Sequence, residues 1–394
     1  MKRKTKLFFL IILMALILAG CWGQKEVNDL GIIQVTGIDK EPDGNFRMTV
    51  LAIIPIGGTE ESLDRSTIWI GSAVGTSIND ASKNLRAIAP KRLVWIDNKI
   101  IVVGEEMARH GLDEIMDFFI RTREFRYRNS ILVSEGKALD TLSIPADIEE
   151  GLPQELEGII RNTEEWLKAY VPDLNDFLIK YLDKHIEAVA GRLTYYETDI
   201  DTFSTSREEY KSIEDNGEDK KKKVVTVKGS AVFKGDKLIG WLDTEETRGY
   251  RLIIGEIDYG AATVKNDDQL VSLEVRNLNS NIEAKVKEEE ILFTIKLKLD
   301  GDIVENLGRD NVLDENAVKD IQKSFEAYLI ERMDKTIAKA QREYESDFLG
   351  FGRILHREYP NVWKEIQNDW DTIFPRVEVK YEVTVNVDRM GERF

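Results

Sequence analysis

Residues 31–55 read GIIQVTGIDKEPDGNFRMTVLAIIP, and the pattern of this stretch predicts the first elements of the fold. Apolar side chains alternate at Ile33 and Val35 and again over residues 46–54, which is typical of half-buried strands. Between the two patterns lies Pro42-Asp43-Gly44, and Asp-Gly accepts the positive φ that a tight turn requires. The stretch therefore predicts strand, turn and strand.

Helix and strand patterns alternate from residue 78 to residue 134. Ala81, Leu85 and Ile88 recur at helical spacing, whereas residues 99–104 (KIIVVG) and 130–134 (SILVS) are short apolar runs typical of strands buried on both faces. From residue 105 to residue 119 the apolar positions fall on one helical stripe. Helices that alternate with strands predict a mixed sheet covered by helices.

The next part of the chain, residues 153–190, has apolar positions that predict two helices broken near Pro172, as a helical pair or subdomain. Residues 201–223 are polar and end in four lysines, so they predict a linker or a long exposed loop. This gives a signal segment 1–20, an N-terminal domain 21–200 and a C-terminal domain 224–394.

The second half of the chain is rich in period-two alternation. Residues 224–242 predict a hairpin around Gly235-Asp236, and three further alternating stretches at 271–275, 282–286 and 293–299 predict antiparallel strands. A long helical stripe from Val318 to Phe348 and a final alternating strand at 377–387 follow. The fold class is therefore α+β and multi-domain, with an antiparallel sheet and packed long helices in the C-terminal half.

The N-terminus carries the pattern of a secretory signal. Four basic residues within positions 2–6 precede thirteen apolar residues, a run too short for a comfortable membrane span of ~20 residues. The run ends in Leu18-Ala19-Gly20-Cys21, which resembles a bacterial lipobox and implies cleavage behind Gly20 and a diacylglycerol thioether on Cys21. An uncleaved anchor with an incidental cysteine is the alternative, and it is disfavoured because Cys21 is the only cysteine in the chain.

Composition excludes several classes of function. A net charge of −17 opposes binding to nucleic acid, and one cysteine with three scattered histidines favours neither a metal site nor histidine-based catalysis. The sequence contains no GxSxG, HExxH, CxxC or P-loop motif, and we expect no catalytic residue, no metal and no cofactor other than the lipid on Cys21. Among the 72 acidic residues a carboxylate pair suited to glycoside hydrolysis cannot be selected.

Two sets of side chains are candidates for contact with a partner. The basic run that begins at Arg121 and continues with Arg123, Arg126 and Arg128 suits an anionic ligand, although salt bridges to an acidic surface are the more common use. An aromatic set in the C-terminal region suits a protein interface, although a core beneath a helix is more common. The candidate interface residues are Phe351, Gly352, Trp363, Trp370 and Arg121.

Four stretches resemble the Ger(x)C spore germination lipoproteins, the C subunits of nutrient germinant receptors. They are the mature start 21–30 (CWGQKEVNDL) with Gly37-Ile38-Asp39, then 99–111 (KIIVVGEEMARHG) with Arg121, then 347–360 (DFLGFGRILHREYP) with Trp363, Trp370 and Ile373-Phe374-Pro375, and finally Arg389-Met390-Gly391. The resemblance spans nearly the whole mature chain in order. One departure is Asn98, near which the family often has a histidine.

The resemblance implies a non-enzymatic, lipid-anchored subunit that assembles with two integral membrane subunits to trigger germination. It also implies an extracytoplasmic location on the spore inner membrane and a mixed α/β protein of several domains. Two alternatives come from other classes. A solute-binding lipoprotein would show two similar lobes joined by crossing strands, and a lipid-anchored hydrolase would place a nucleophile or a carboxylate pair in a cleft.

Overall fold

The first hairpin forms the second and third strands from one edge of a large sheet. The computed structural model describes residues 29–55, 66–166, 168–198, 221–256, 260–266, 269–288, 290–306 and 315–390. Strands β1 (Leu30–Lys40) and β2 (Phe46–Pro55) pair antiparallel, and Gly44 takes a φ of 86° in the turn. The hairpin predicted from residues 31–55 is confirmed.

Seven more strands complete this sheet. They are β3 (Ser66–Gly75), β4 (Arg92–Val94), β5 (Ile100–Gly104), β6 (Ser130–Ser134), β7 (Val189–Thr198), β8 (Lys222–Lys234) and β9 (Lys237–Leu242). The spatial order is β3-β2-β1-β5-β6-β7-β8-β9, and β4 pairs beside β1. Strands β1, β5, β6 and β7 run parallel and the outer pairs run antiparallel, so the mixed sheet is confirmed.

Helices cover both faces of the large sheet, which explains why its central strands are continuously apolar. One face carries α1 (Ile78–Ile88), α2 (Glu105–His110) and α3 (Asp113–Arg121). The other carries α4 (Ala138–Leu142) and α5 (Leu152–Trp166). The single stripe predicted from residue 105 is thus two helices, because Gly111 has a φ of 140° that a helix cannot continue through.

The helical pair predicted at 153–190 is corrected in its arrangement. Helix α5 packs on one face of the large sheet, whereas α6 (Leu174–Tyr181) packs through Leu174, Phe177 and Leu178 on the other. Each helix therefore buries its apolar side against strands, and residues 189–198 continue as strand β7 of the same sheet.

The second sheet has four strands in the order β10-β11-β12-β13. They are β10 (Gly260–Asn266), β11 (Gln269–Lys287), β12 (Glu290–Asn306) and β13 (Glu378–Met390). The stretches 271–275 and 282–286 were predicted as separate strands but form one strand, β11. The predicted antiparallel sheet is corrected at one pair, since β13 runs parallel to β12, and the long connection between them leaves room for the crossover that this requires.

Helices α7 (Thr244–Ile254) and α8 (Glu315–Ala338) pack on the second sheet. The helix predicted from Val318 to Phe348 ends early, because the chain turns through a π-helical segment, Lys339–Glu343, and Glu345 takes a φ of 46°. The α+β class with a sheet and helices in each half is confirmed.

The predicted linker 201–223 lies mostly outside the described residues, but its two flanks are informative. Strands β7 and β8 pair antiparallel on either side of it, from Val189 beside Val232 to Thr198 beside Lys222. The hairpin β8–β9 therefore completes the N-terminal sheet, although its residues belong to the predicted C-terminal domain. The division of the chain into domains 21–200 and 224–394 stays a prediction. Both of these sequence segments contribute strands to the large sheet.

Helices α7 and α8 approach closely at Gly249, where an added Cβ would lie 2.3 Å from the Arg332 carbonyl oxygen. Gly249→Ala is expected to destabilise the fold by ~1–3 kcal/mol, because the backbones must separate. Gly158→Ala in α5 is the control, since its Cβ meets nothing within 4 Å and alanine favours a helix by up to ~1 kcal/mol. Urea unfolding measures both, and equal effects of the two substitutions would contradict this packing.

Candidate functional site

The aspartate of Gly37-Ile38-Asp39 holds a helix against the large sheet. The Asp39 carboxylate accepts backbone N–H bonds from Ala138 at 2.7 Å and Leu139 at 3.0 Å, at the start of α4. Burial raises the pKa of Asp39, although these two hydrogen bonds oppose the rise. A Cβ on Gly104 would lie 2.0 Å from the same carboxylate, so the glycine makes room for it.

A second buried carboxylate, Asp347, organises the stretch that reads DFLGFG. It accepts backbone N–H bonds from Gly350 at 2.9 Å, Phe351 at 3.0 Å and Gly352 at 2.6 Å. The indole Nε1 of Trp370 donates a fourth bond at 3.0 Å. Burial raises the pKa of Asp347 to about 6, against the lowering effect of its four donors. The carboxylate therefore fixes the start of helix α9 (Phe351–Glu358).

The segment 344–352, which we call the seam, joins the second sheet's helices to the large sheet. The backbone N–H of Glu187, just before β7, donates to the Asp347 carbonyl at 3.0 Å. The Ser346 hydroxyl donates to the Phe233 carbonyl in β8 at 3.0 Å. Asp347 thus lies where the two halves of the chain contact each other, and the hydrogen bonds of its segment hold the two halves in position.

A polar cluster lies at the edge of the seam. The Asp183 carboxylate accepts a bond from Arg353 Nε at 2.7 Å and from the His185 backbone N–H at 2.9 Å. Burial tends to raise the pKa of Asp183, but these bonds outweigh it and hold the pKa below its ordinary value. The His185 and His356 rings stack with centroids 4.0 Å apart, and Trp363 meets His185 edge-on. The cluster links the loop before β7 to α9.

Four of the five candidate interface residues are buried. Phe351, Gly352, Trp363 and Trp370 lie in the core of the second half, and the two tryptophan rings pack 5.4 Å apart. The candidate interface at these four residues is corrected to the more common alternative, a core, because the Asp347 carboxylate binds Gly352 and Trp370 inside the protein. The aromatic set forms the core beneath helices α9, α10 (Pro360–Ile366) and α11 (Trp370–Ile373).

Arg121 is the exposed member of the candidate set, with 78% of its side chain accessible. Its Nε lies 2.6 Å from Asp117, one helical turn earlier in α3. Both residues line a cleft of about 470 Å³ that also contains Glu114, which is 3.9 Å from Lys40. The cleft floor includes apolar side chains from three elements: Phe46, Ile78 and Phe118. The role of Arg121 toward a partner stays a prediction.

Cys21 and Gly20 lie outside the described residues, so lipidation and cleavage stay predictions. Across the described ranges, no group of three or more Asp, Glu, His or Cys side chains is arranged to hold a metal ion. In that same part of the chain, no helix is both long enough and apolar enough to cross a bilayer.

Sequence reasoning did not assign a role to Asp39, Asp347 or Asn98. The signal available for Asp347 was its position ahead of Gly350 and Gly352, since glycines allow a backbone to close around a buried group. Asn98 is buried, accepts a bond from the Thr36 hydroxyl at 2.7 Å and donates to the Ile100 carbonyl at 3.2 Å. Position 98, near which the family often has a histidine, therefore holds in this chain an amide whose oxygen and nitrogen are both hydrogen-bonded.

Comparisons with known proteins cover nearly the whole chain. A family model described as spore germination protein N-terminal domain matches residues 23–195, and one described as spore germination B3/GerAC like, C-terminal, matches residues 228–391. Spore germination protein YndF of Bacillus subtilis (strain 168) is 24% identical, and the match covers 99% of this chain and 98% of YndF. Spore germination protein KC of the same organism is 25% identical, and the match covers 100% of this chain and 97% of KC. The crystal structure of the GerBC protein superimposes with a TM-score of 0.57 at 16% identity, over 90% of this chain and 97% of that one, and shows a shared fold.

The raised pKa of Asp347 makes stability depend on pH. An ordinary aspartate has a pKa of ~3.9, so the folded chain binds this proton more tightly than the unfolded chain does. The contribution is complete below about pH 4 and is lost as the pH rises through about 6. The difference in unfolding free energy between wild type and Asp347→Asn should therefore shrink by roughly 2 kcal/mol between about pH 4.5 and about pH 7.5.

Urea unfolding of both proteins at the two pH values measures this difference. Asp371→Asn is the control, because its side chain is 72% exposed and pairs with Lys234 at the surface. A gap that widens with rising pH would show that the four donors dominate over burial.

Proposed function

The chain belongs to the Ger(x)C family of spore germination proteins, and on that premise we propose that it is a non-enzymatic, lipid-anchored subunit of a nutrient germinant receptor. The observation that carries the proposal is the similarity to spore germination proteins from end to end of both chains, at 97% or more of each relative's length. The subunit assembles with two integral membrane subunits on the extracytoplasmic side of the spore inner membrane. That assembly triggers germination.

The arrangement of side chains supports a role in binding rather than in catalysis. Asp39 and Asp347, the two carboxylates in the family-like motifs, accept backbone N–H bonds inside the protein. Both carboxylates therefore have a structural role. In the cleft beside α3, the carboxylates of Glu114 and Asp117 are neighbours of Lys40 and Arg121. No carboxylate in this cleft is therefore set up as a free acid or base.

The alternatives receive less support. A solute-binding lipoprotein would have two lobes of similar construction, whereas the two sheets here have nine and four strands with different orders. A hydrolase would need a nucleophile or a carboxylate pair directed into a cleft, and the carboxylates beside α3 are paired with cations.

The proposed lipid on Cys21 gives the subunit its membrane residence. Two acyl chains hold a protein firmly, whereas one chain gives only marginal binding, because each buried CH₂ contributes ~0.8 kcal/mol. Confinement to the membrane raises the effective concentration of the subunit beside its partners. A modest intrinsic affinity then suffices for assembly.

Deleting the gene is expected to abolish germination in response to the nutrient that its receptor serves, and wild type should restore it. Cys21→Ala should restore little germination and should leave the protein in the soluble fraction, because the thioether cannot form. Germination is measured as loss of optical density, and membrane residence by immunoblot of fractionated spores.

Trp22→Ala is the matched control for this experiment, because it changes the neighbouring residue and keeps the thiol. A Cys21→Ala chain fused to an unrelated transmembrane helix separates tethering from the lipid itself. Normal germination of the deletion strain with every nutrient would overturn the proposed function. Full membrane retention of Cys21→Ala would overturn the lipid anchor.

A further inference from the structure

We infer that the amino-end face of the large sheet is a docking surface for anionic lipid headgroups. Strands β4, β5 and β6 run parallel to β1, so each begins on the side of the sheet from which β1 begins: β4 starts beside Leu30, whereas β5 and β6 start level with Val35. The segments that enter β4, β5 and β6 therefore lie toward this amino end. We define the amino-end face as residues 88–92, 95–99 and 122–129.

The three segments are tied to one another and to the start of β1. The Asn129 side chain reaches both the Asn98 side chain and the Asn98 carbonyl when its amide is oriented to satisfy them. The rings of Trp95 and Phe125 lie 6.1 Å apart. A Cβ on Gly31 would lie 3.7 Å from the Cβ of Lys91. Buried side chains thus tie residues 95–99 to residues 122–129, and residues 88–92 lie beside the start of β1.

The charge of this face is opposite to that of the whole chain. The protein has 72 acidic and 55 basic residues, but these three segments contain two acidic residues against six basic ones: Lys91, Arg92, Lys99, Arg123, Arg126 and Arg128. Both acids are engaged, since Asp97 accepts a bond from Gln34 at 2.6 Å and Glu124 accepts from Arg86. A local surplus of cations on an acidic protein favours an anionic partner.

The exposed arginines of the face form no salt bridge within the described part of the chain. Arg92, Arg126 and Arg128 are exposed, and none of them pairs with an acidic side chain in the described part of the chain. Lys99 is different, because its Nζ lies 3.3 Å from Glu157. Arg123 is exposed and forms no salt bridge there either, so four guanidinium groups are available for phosphate oxygens, which they bind through paired hydrogen bonds.

Exposed apolar side chains lie among these cations. Ile88 is 60% exposed, Ile96 is 61% exposed and Tyr127 is 48% exposed. Tyrosine prefers the boundary between water and lipid, since its ring is apolar and its hydroxyl is polar. Cations together with isolated apolar groups are the composition of a surface that rests on headgroups.

The edges of the face are defined by neighbouring elements. On one side Asp173 and Asp176 begin helix α6, next to Tyr127, whose carbonyl accepts the Asn175 N–H at 2.9 Å. From β7 onward, the seam covers the same edge of the sheet. The cationic surface is therefore confined to the ends of β1, β4, β5 and β6.

The length of chain before β1 identifies the partner as a bilayer. Eight residues lie between Cys21 and Leu30, and the nine steps from one to the other span at most ~32 Å when fully extended. The start of β1 then stays within that distance of a membrane that holds the lipid of Cys21, and Arg92 of β4, which pairs beside Leu30, stays near it. This step rests on the proposed function, because it takes the lipid anchor as given.

Vesicle binding of the chain without its lipid tests the inference. The chain 21–394 with Cys21→Ala is sedimented with vesicles of phosphatidylglycerol and phosphatidylcholine, or of phosphatidylcholine alone, at low salt. It should bind the anionic vesicles and not the neutral ones. Replacing Arg92, Arg126 and Arg128 together by Glu should weaken the binding at least ~20-fold, since each cation near an anionic surface contributes to the attraction.

The matched control replaces Lys237, Lys319 and Lys364 by Glu, because these lysines are exposed and lie outside the face. The two triple variants have the same net charge, so a difference between them reports position. Equal binding by both triple variants would overturn the inference, and so would a failure of the parent chain to bind anionic vesicles. An acidic protein would then be the partner to test.

A second measurement does not depend on weak binding. Cys21 is the only cysteine, so a maleimide lipid couples the otherwise wild-type chain to vesicles at the proposed anchor site. Amide hydrogen exchange over residues 88–99 and 122–129 should slow on anionic vesicles compared with neutral ones. Unchanged exchange would overturn the docking surface, whereas the germination and fractionation results for Cys21→Ala decide the anchor separately.

Discussion

The buried carboxylate of Asp347 is the constraint on which the second half of the structure depends. A charge placed in a core is costly unless it is hydrogen-bonded, and here four N–H groups converge on it. Those donors can converge only if Gly350 takes a φ of 82° and the backbone at Gly352 passes close to the Trp363 and Trp370 rings. The same segment then contacts β8 of the large sheet. One side chain thus determines the entry to α9, the position of Trp370 and the junction between the two halves.

Local patterns in the sequence were enough to predict most elements, because each depends on burial of a face by its own residues. The hairpin at 31–55 and the run KIIVVG both show the period that their surroundings require. Features that depend on distant residues were not predictable. The stretches 271–275 and 282–286 form one strand because β12 pairs along its whole length. Helices α5 and α6 lie on opposite faces of the sheet, and no property of either helix specifies the face.

The candidate site shows a similar limit. Aromatic residues crowded into a short stretch fit either a core, which is the more common case, or an interface, because both environments favour large apolar side chains. The decision lies with Asp347, whose bonds to Gly352 and Trp370 bring the aromatic rings inside. Sequence showed that Asp347 begins a glycine-containing stretch, but it could not show that three consecutive N–H groups would turn toward it. Arg121, in contrast, follows the helical stripe of α3 and is exposed as its position on that helix requires.

The two ends of the parallel strands have different uses in this chain. Ligands of parallel sheets commonly bind in crevices beyond the carboxyl ends of the strands. Here the carboxyl end of β1 is closed, because Asp39 binds the first N–H groups of α4, and Gly37 and Gly104 leave room only for that helix and that carboxylate. The amino ends are open instead, and they carry exposed Arg92, Arg126 and Arg128. Because β1 begins at this end, the proposed lipid on Cys21 would turn this open edge toward a membrane.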